Sequence, residues 1–223
     1  AVFGELASKT VNYSLGVFNG TADGRDVSVA DDAGKEVEGR IFFTPFKNDY
    51  SALAGLGFGI AGSYGNKHSA QGNTANANNT LARYRSSGQQ QFFSYETGVI
   101  ADGKHTRLAP QFSFYKDAFG LLGDYVVSEQ EVVRTTNKAK VKNDAYSLTA
   151  TYVLTGEDAS YSGVTPGNNF ALDGEGWGAF EVAARVGQLD VDDDAFIGPA
   201  ATRLANPNAS ASKAKNYGCG LNW

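Results

Sequence analysis

The sequence predicts an all-β, antiparallel protein, and among such folds a transmembrane β-barrel. Three observations carry this. About eight stretches alternate apolar and polar residues, each near the length of a membrane-spanning strand, about 9–11 residues, whereas ordinary sheet strands average about 5–6. The polar face of these stretches mixes Gly, Ser, Thr, Asn and isolated charges, as a water-filled interior requires. Tyr and Trp gather near strand ends, where an interfacial girdle would sit. A soluble β-sandwich also buries one face of each strand, so it stands as the alternative fold.

Composition agrees. Of 223 residues, 27 are Gly, 11 Tyr and 14 Phe, while Pro numbers only 5. Sheets with Gly-rich turns fit this better than helices. No run approaches the roughly 18 apolar residues of a membrane helix, but half-polar barrel strands escape such a search, and the mean hydropathy of −0.31 suits a water-filled barrel. The absence of Met, even at position 1, predicts a processed or excised segment. The net charge of −5 argues against nucleic acid as a partner. Cys219 stands alone, which excludes a disulfide framework and a cysteine metal cluster and leaves a small apolar strand residue.

The elements follow in order by period-2 alternation. Residues 9–19 set Val11, Tyr13, Leu15 and Val17 against Asn12, Ser14 and Gly16. A polar loop, 20–34, leads to a strand over 35–46, with Val37, Gly39, Ile41 and Phe43 opposite Glu36, Glu38, Arg40, Phe42 and Thr44. After a link, 47–55, residues 56–65 place Leu56, Phe58, Ile60 and Tyr64 opposite a face of Gly, Ala and Ser only, which can accept a packed loop or backbone. The longest connection, 66–104, opens on the low-complexity tract AQGNTANANN and continues to QQQFFSY. That length marks a functional or disordered segment; Phe92, Phe93 and Tyr95 argue for an ordered one, with a short strand in QQQFFSY.

Residues 105–115 form the next strand, with Leu108, Pro110, Phe112 and Phe114 opposite His105, Arg107, Gln111, Ser113 and Tyr115. Pro110 is unexpected in a central strand. A tight turn, 116–119, precedes a strand over 120–128, a charged link over 129–143 and a strand over 144–155. Then comes YVLTGEDASYSGVTPGNNFALDGEGWGAFEVAARVGQLDVDDD, residues 152–194: a strand end, a polar loop and a strand with Phe180, Val182, Ala184 and Val186 opposite Glu181, Ala183, Arg185 and Gly187. A loop, 192–212, leads to the last strand, with Tyr217, Cys219, Leu221 and Trp223 on one face.

The segments LTGEDASYSGVTP, GWGAFEVAARVGQLDVDDDAF and YGCGLNW resemble the phosphate-selective porin O and P family of bacterial outer membranes, as do RIFFTPFKN, GLGFGIAGSYGN and FGLLGDYVVSEQEV. The resemblance runs from about residue 12 to 223. It implies homotrimeric, sixteen-stranded barrels in the outer membrane that pass phosphate or other small anions. The chain is then one porin domain over residues 1–223, a central part lacking N-terminal and C-terminal strands. With short turns on the periplasmic side, 47–55 and 116–119 lie there, and 20–34, 66–104, 129–143 and 192–212 lie outside. Alternation also puts 156–175 on the periplasmic side, where so long a connection is unexpected.

An anion channel needs fixed positive charge at a constriction, and the planar fork of Arg suits oxyanions. Arg83 and Arg85 are the leading candidates: spaced i, i+2 in the long loop, they point the same way on an extended backbone, and by analogy with general porins, whose long third loop folds inward to narrow the pore, that role is inferred for this loop. Arg40, Arg107 and Arg185 fall on polar strand faces, and Lys213 and Lys215 suit a basic funnel at the outer mouth. The competing reading is scattered solvated bases that balance Glu38, Glu181 and Asp190. A dense ladder of arginines, which the family's phosphate-specific members carry, is not visible, so a weakly selective general pore is the alternative. LDVDDDAF clusters carboxylates but lacks the spacing of a calcium loop, which favours a solvated strand end over a metal site. His105 beside Arg107 is a candidate for titration in the lumen, but no nucleophile or second nearby His accompanies it, and no phosphate-binding loop or nucleophile elbow is present. No enzyme activity and no cofactor are expected. The rivals to a passive channel are a structural or adhesive surface protein and a soluble binding module.

Overall fold

The computed structural model describes residues 1–24, 34–49, 51–68, 80–172, 174 and 176–223. The tract AQGNTANANN and much of the 20–34 loop lie outside the described residues. Each strand pairs with the next in an antiparallel meander: β1 (Val2–Leu6), β2 (Val11–Phe18), β3 (Glu36–Phe43), β4 (Leu56–His68), then β7 (Val99–Lys116), β8 (Phe119–Arg134), β9 (Asn137–Val153), β10 (Glu181–Asp190) and β11 (Lys213–Asn222). The chain between β4 and β7 forms a separate hairpin of β5 (Arg83–Arg85) and β6 (Gln91–Ser94). Among the described residues, the nine-stranded sheet keeps two edges, at β1 and β11, and does not close.

All eight expected strands are present, and β1 is a ninth. It escaped the sequence reading because the bend before β2 lacks Gly, Asn or Pro; Ala7, Ser8 and Lys9 instead take left-handed φ of 50°, 57° and 66°. QQQFFSY does contain a strand, β6. The expected link over 129–143 is corrected: β8 and β9 run through it and turn at Thr135 and Thr136, with 16 and 17 residues respectively. Charge there is cross-strand pairing rather than loop. Glu129 faces Lys142 and Glu131 faces Lys140 in the register, and Lys140 Nζ lies 2.6 Å from Glu129. Opposite charges on facing strands favour pairing as apolar pairs do.

Pro110 does sit in a central strand. It faces Ile60 of β4, while the β7–β8 pairs pass from Leu108↔Val127 to Gln111↔Asp124. The interrupted ladder is where the missing N–H is accommodated. A second irregularity between Ala101 and His105 shifts the register. There Gly103 takes φ 136° and a Cβ on it would meet Glu131 Oε2 at 2.1 Å, while that carboxylate accepts the Lys104 N–H at 2.9 Å.

The two faces of the sheet are inverted relative to a water-soluble protein. Aliphatic and aromatic side chains stand exposed on the outer face, among them Leu15 (57 %), Ile60, Leu108, Leu148, Val186 and Tyr217 (74 %). Charged and polar side chains are buried on the inner face: Glu36 and His105 at 0 % and Lys67 at 1 %. Apolar surface of this extent is not left to water. The outer band also has a sharp end. In β8 and β9 it changes from Tyr125, Val127, Tyr146 and Leu148 to Glu129, Glu131, Lys138, Lys140 and Lys142, so β7, β8 and β9 extend beyond it.

The packed core lies beyond that boundary. The β5–β6 hairpin lays Leu81, Ala82, Tyr84, Phe93 and Tyr95 against Val99, Ala101, Val132 and Val141 of the extended strands, and Val191, Ala195, Leu204 and Ala205 close it from the β10–β11 connection. Phe93 anchors the ring packing, 5.1 Å from Tyr95 and 6.1 Å from Phe196 between centroids, both edge-on. The long loop is therefore folded over the inner face of the sheet.

At the other end, the described residues of the 154–180 connection are held by hydrogen bonds and ring contacts, and the strands flanking it are present. Ala159 N–H donates to Asp117 at 2.7 Å. Trp223 donates to the Trp177 carbonyl at 2.6 Å and stands edge-on to Phe170 at 4.8 Å. Topology places this connection on the same end as the Asp117–Ala118 turn, opposite the hairpin.

Candidate functional site

Strand alternation places Arg40, Arg107 and Arg185 on the inner face, but their surroundings differ. Arg107 is locked. Its Nε lies 2.6 Å from Asp23 Oδ1, its Nη1 pairs with Glu36 and donates to Ser63 at 3.2 Å, and its Nη2 donates to the Thr21 carbonyl. Lys67 Nζ adds a donor to the Asn19 carbonyl at 2.8 Å and stands 3.4 Å from Glu36 Oε2. His105 Nε2 lies 3.2 Å from Ser128 Oγ and 3.6 Å from Asp23 Oδ2, and Ser128 donates to the same carboxylate. Burial pushes the Asp23 carboxyl up, but the His105 hydrogen bond, the Arg107 guanidinium and Ser128 outweigh it and hold the group well below the usual carboxylate range.

Two carboxylates thus meet two cations, leaving no net charge from these four groups. Their work is structural: they weld the 19–24 segment to the wall of β3, β4, β7 and β8. Sequence reasoning placed Arg107 and His105 on the polar face, but it missed Asp23, Glu36 and Lys67 as partners. The signal available was weak, a charged residue in each of three polar stretches far apart in the chain.

Arg85 and Arg185 are differently placed. Both line a cavity of about 480 Å³ between the hairpin tip and the wall of β8–β11, together with Ser86, Ser87, Ser147 and Asn216. Arg185 Nε donates to Ser147 at 3.0 Å, and Asn216 donates to Ser87 at 2.7 Å, tying the tip to β11. Asp124 is the acid of this cavity. Guanidinium groups beside hydroxyl and amide donors are the donor set that oxyanion recognition uses.

Arg83 faces Ser94 in the hairpin, with a register irregularity between Tyr84 and Arg85. Its backbone N–H donates to the Asp23 carbonyl at 3.0 Å, but it does not line the cavity that Arg85 lines. Tyr84, between them, accepts from Asn143 at 3.0 Å, and Gln130 donates to the Thr80 carbonyl at 2.9 Å. Burial, reinforced by the nearby Asp23 carboxylate, pushes the Tyr84 phenol up, so it stays protonated. These bonds hold the hairpin against inward-facing residues of β8 and β9.

Arg40 donates through Nε and Nη2 to Gln111 Oε1, at 3.0 and 2.7 Å, and its guanidinium carbon lies 4.7 Å from the centre of the Phe42 ring. The small-residue face of β4 receives that ring: a Cβ on Gly57 or Gly59 would meet Phe42 atoms at 2.6 Å. Lys213 and Lys215 face Asp190 and Gln188 across the β10–β11 register, on the strand face of Tyr217 and beyond the aliphatic band. Lys213 Nζ is 2.8 Å from Asp190. Asp192, in the acidic run, caps the short 3₁₀ turn Asp193–Phe196 and accepts the Lys142 N–H at 2.8 Å. Among the described residues no cluster of His, Cys, Asp or Glu is arranged to hold a metal ion.

No curated protein matches the chain. A family model described as phosphate-selective porin O and P matches residues 4–223. The match covers nearly every strand whose apolar face is turned outward and whose polar face lies under the hairpin. The chain belongs to this family of bacterial outer-membrane porins.

Proposed function

We propose that the protein is a passive, water-filled channel that lets phosphate or other small anions diffuse across the outer membrane, and that residues 1–223 are part of one barrel domain. The observation that carries this reading is the juxtaposition of Arg85 and Arg185 in the cavity under the hairpin. The hairpin is held against the inner wall by its own core and is positioned to narrow the passage. Open sheet edges cannot face hydrocarbon, because their N–H and C=O groups would lose water without replacement. Further strands of this protein or edges of other chains therefore complete the barrel, and sixteen strands and a homotrimer are the arrangement the family resemblance implies.

A weakly selective pore is the second reading. The neutralised cluster around Arg107 favours it, since one of the three arginines expected on the inner face is spent on carboxylates. Planar-bilayer recording of the reconstituted protein distinguishes these. Anion-selective conductance with phosphate blocking chloride current supports phosphate preference. Conductance without that block leaves the general pore, and absence of conductance removes the channel reading.

A further inference from the structure

Below the hairpin cavity, toward the end of the sheet that carries the 154–180 connection, the inner face holds a larger cavity of about 710 Å³. It adjoins the first at Asp124, which lines both. Its chemistry is different. Four aromatic residues, Phe42, Phe112, Tyr115 and Tyr161, share it with the cations Arg40 and Lys47. The volume is that of a pocket for a small organic molecule, which such pockets hold by apolar walls and a few placed polar groups.

Each part is positioned by the fold. Gln111 accepts both Nε and Nη2 of Arg40, which fixes the guanidinium plane above Phe42 and leaves Nη1 without a protein acceptor among the described residues. Phe42 is seated on Gly57 and Gly59, where any side chain would displace it. Tyr161 arrives from the 154–180 connection, whose backbone is tied to the Asp117 turn through Ala159 and folded at Ser160 by bonds from Ser162 and Gly163. Its ring is 77 % exposed and lines the cavity rather than packing into a core.

We propose that this cavity is a binding subsite for small organic anions that carry an aromatic ring, with Arg40 and Lys47 holding the anionic group and Phe42, Tyr115 and Tyr161 holding the ring. A hydrated inorganic oxyanion has no use for an aromatic lining, whereas an aromatic carboxylate satisfies both halves of it. Asp124 at the junction repels the anion and sets a limit on residence, which a transit site needs. The role in transit rests on the pore reading; the binding does not.

The test is equilibrium titration of the detergent-solubilised protein with benzoate and with acetate, alongside conductance of the same preparation. Benzoate should bind about tenfold more tightly than acetate if its ring is held by aromatic neighbours. Tyr161→Ala should remove most of that preference, and Tyr161→Phe should keep it while guarding against misfolding. Arg40→Gln should weaken both anions, and Asp124→Asn should strengthen both. Equal binding of benzoate and acetate, or an unchanged preference in Tyr161→Ala, overturns the subsite. Ring preference in a protein that conducts no ions keeps the subsite and removes the pore; conductance without ring preference does the reverse.

Discussion

Two arginines point to the inner face from different walls, yet they differ in available charge. On the wall of β3, β4, β7 and β8, Arg107 is enclosed by Asp23, Glu36, Ser63 and a backbone carbonyl. On the wall of β8–β11, Arg185 donates to a single serine and shares an open cavity with Arg85. The difference teaches that counting basic residues on a polar face does not measure the field in a pore. A guanidinium paired with a buried carboxylate contributes rigidity; an unpaired one contributes attraction for anions. The same residue type is spent on construction on one side and left available on the other.

The comparison is broken most severely by Glu36→Ala. It leaves Arg107 and the buried Lys67 without their shared carboxylate, and loss of one partner of a buried pair costs about 3–5 kcal/mol. Thermal unfolding in detergent should show a large drop in midpoint; an unchanged midpoint would show that the cluster is not a weld.

Next in size is the effect on selectivity of Arg85→Ala or Arg185→Ala. A unit charge about 4 Å from an ion in water contributes about 1 kcal/mol, or roughly fivefold in local anion concentration. Reversal potentials in a salt gradient should shift toward cations by that order for either variant, with the unfolding midpoint unchanged. Arg107→Gln should do the opposite, losing stability while hardly moving the reversal potential. If Arg107→Gln shifts selectivity as much as Arg185→Ala, the division between the two walls fails.

Acid sharpens the same contrast. The Asp23 carboxyl is depressed in the folded protein, so its contribution to stability is fully present above its unfolded value near about 4 and is lost only as pH falls through the lower folded value. Asp23→Asn should be less stable than wild type at pH 7 and also at pH 4, with the gap closing only under more acidic conditions. A gap that closes between pH 6 and 5 would refute the assignment. The smallest effect belongs to Lys140→Ala, which removes an exposed pair with Glu129 on the outer strand extensions. No change in unfolding midpoint is expected there, because solvent and salt screen such pairs.

Alternation alone made most of the sheet legible. Val182, Ala184 and Val186 against Glu181 and Arg185 announce a two-faced strand at any position in the chain, and no tertiary knowledge is needed. Charge misled where it lay on strands past the aliphatic band: Lys138, Lys140 and Lys142 alternate as regularly as Val182 to Val186, but with a residue type that suggests a loop. β1 was hidden because its turn uses Ala, Ser and Lys in a conformation glycine normally supplies. The site was legible in its residue types and not in its pairings. Asp23 meets Arg107 across 84 positions and Asn216 meets Ser87 across 129, and no local period encodes contacts of that range. Whether an arginine is spent or available is decided by those contacts.

The hydrophobic interior of the hairpin has a consequence for the electrical behaviour of the channel. Phe93, Leu81 and Leu204 are fully enclosed, so displacing the hairpin would expose them to water at a cost of about 1.5–3 kcal/mol for each side chain. A hairpin held in that way does not flap. Single-channel traces should therefore be quiet, with a steady open level and rare brief closures, and excess current noise should appear only when Phe93 is truncated.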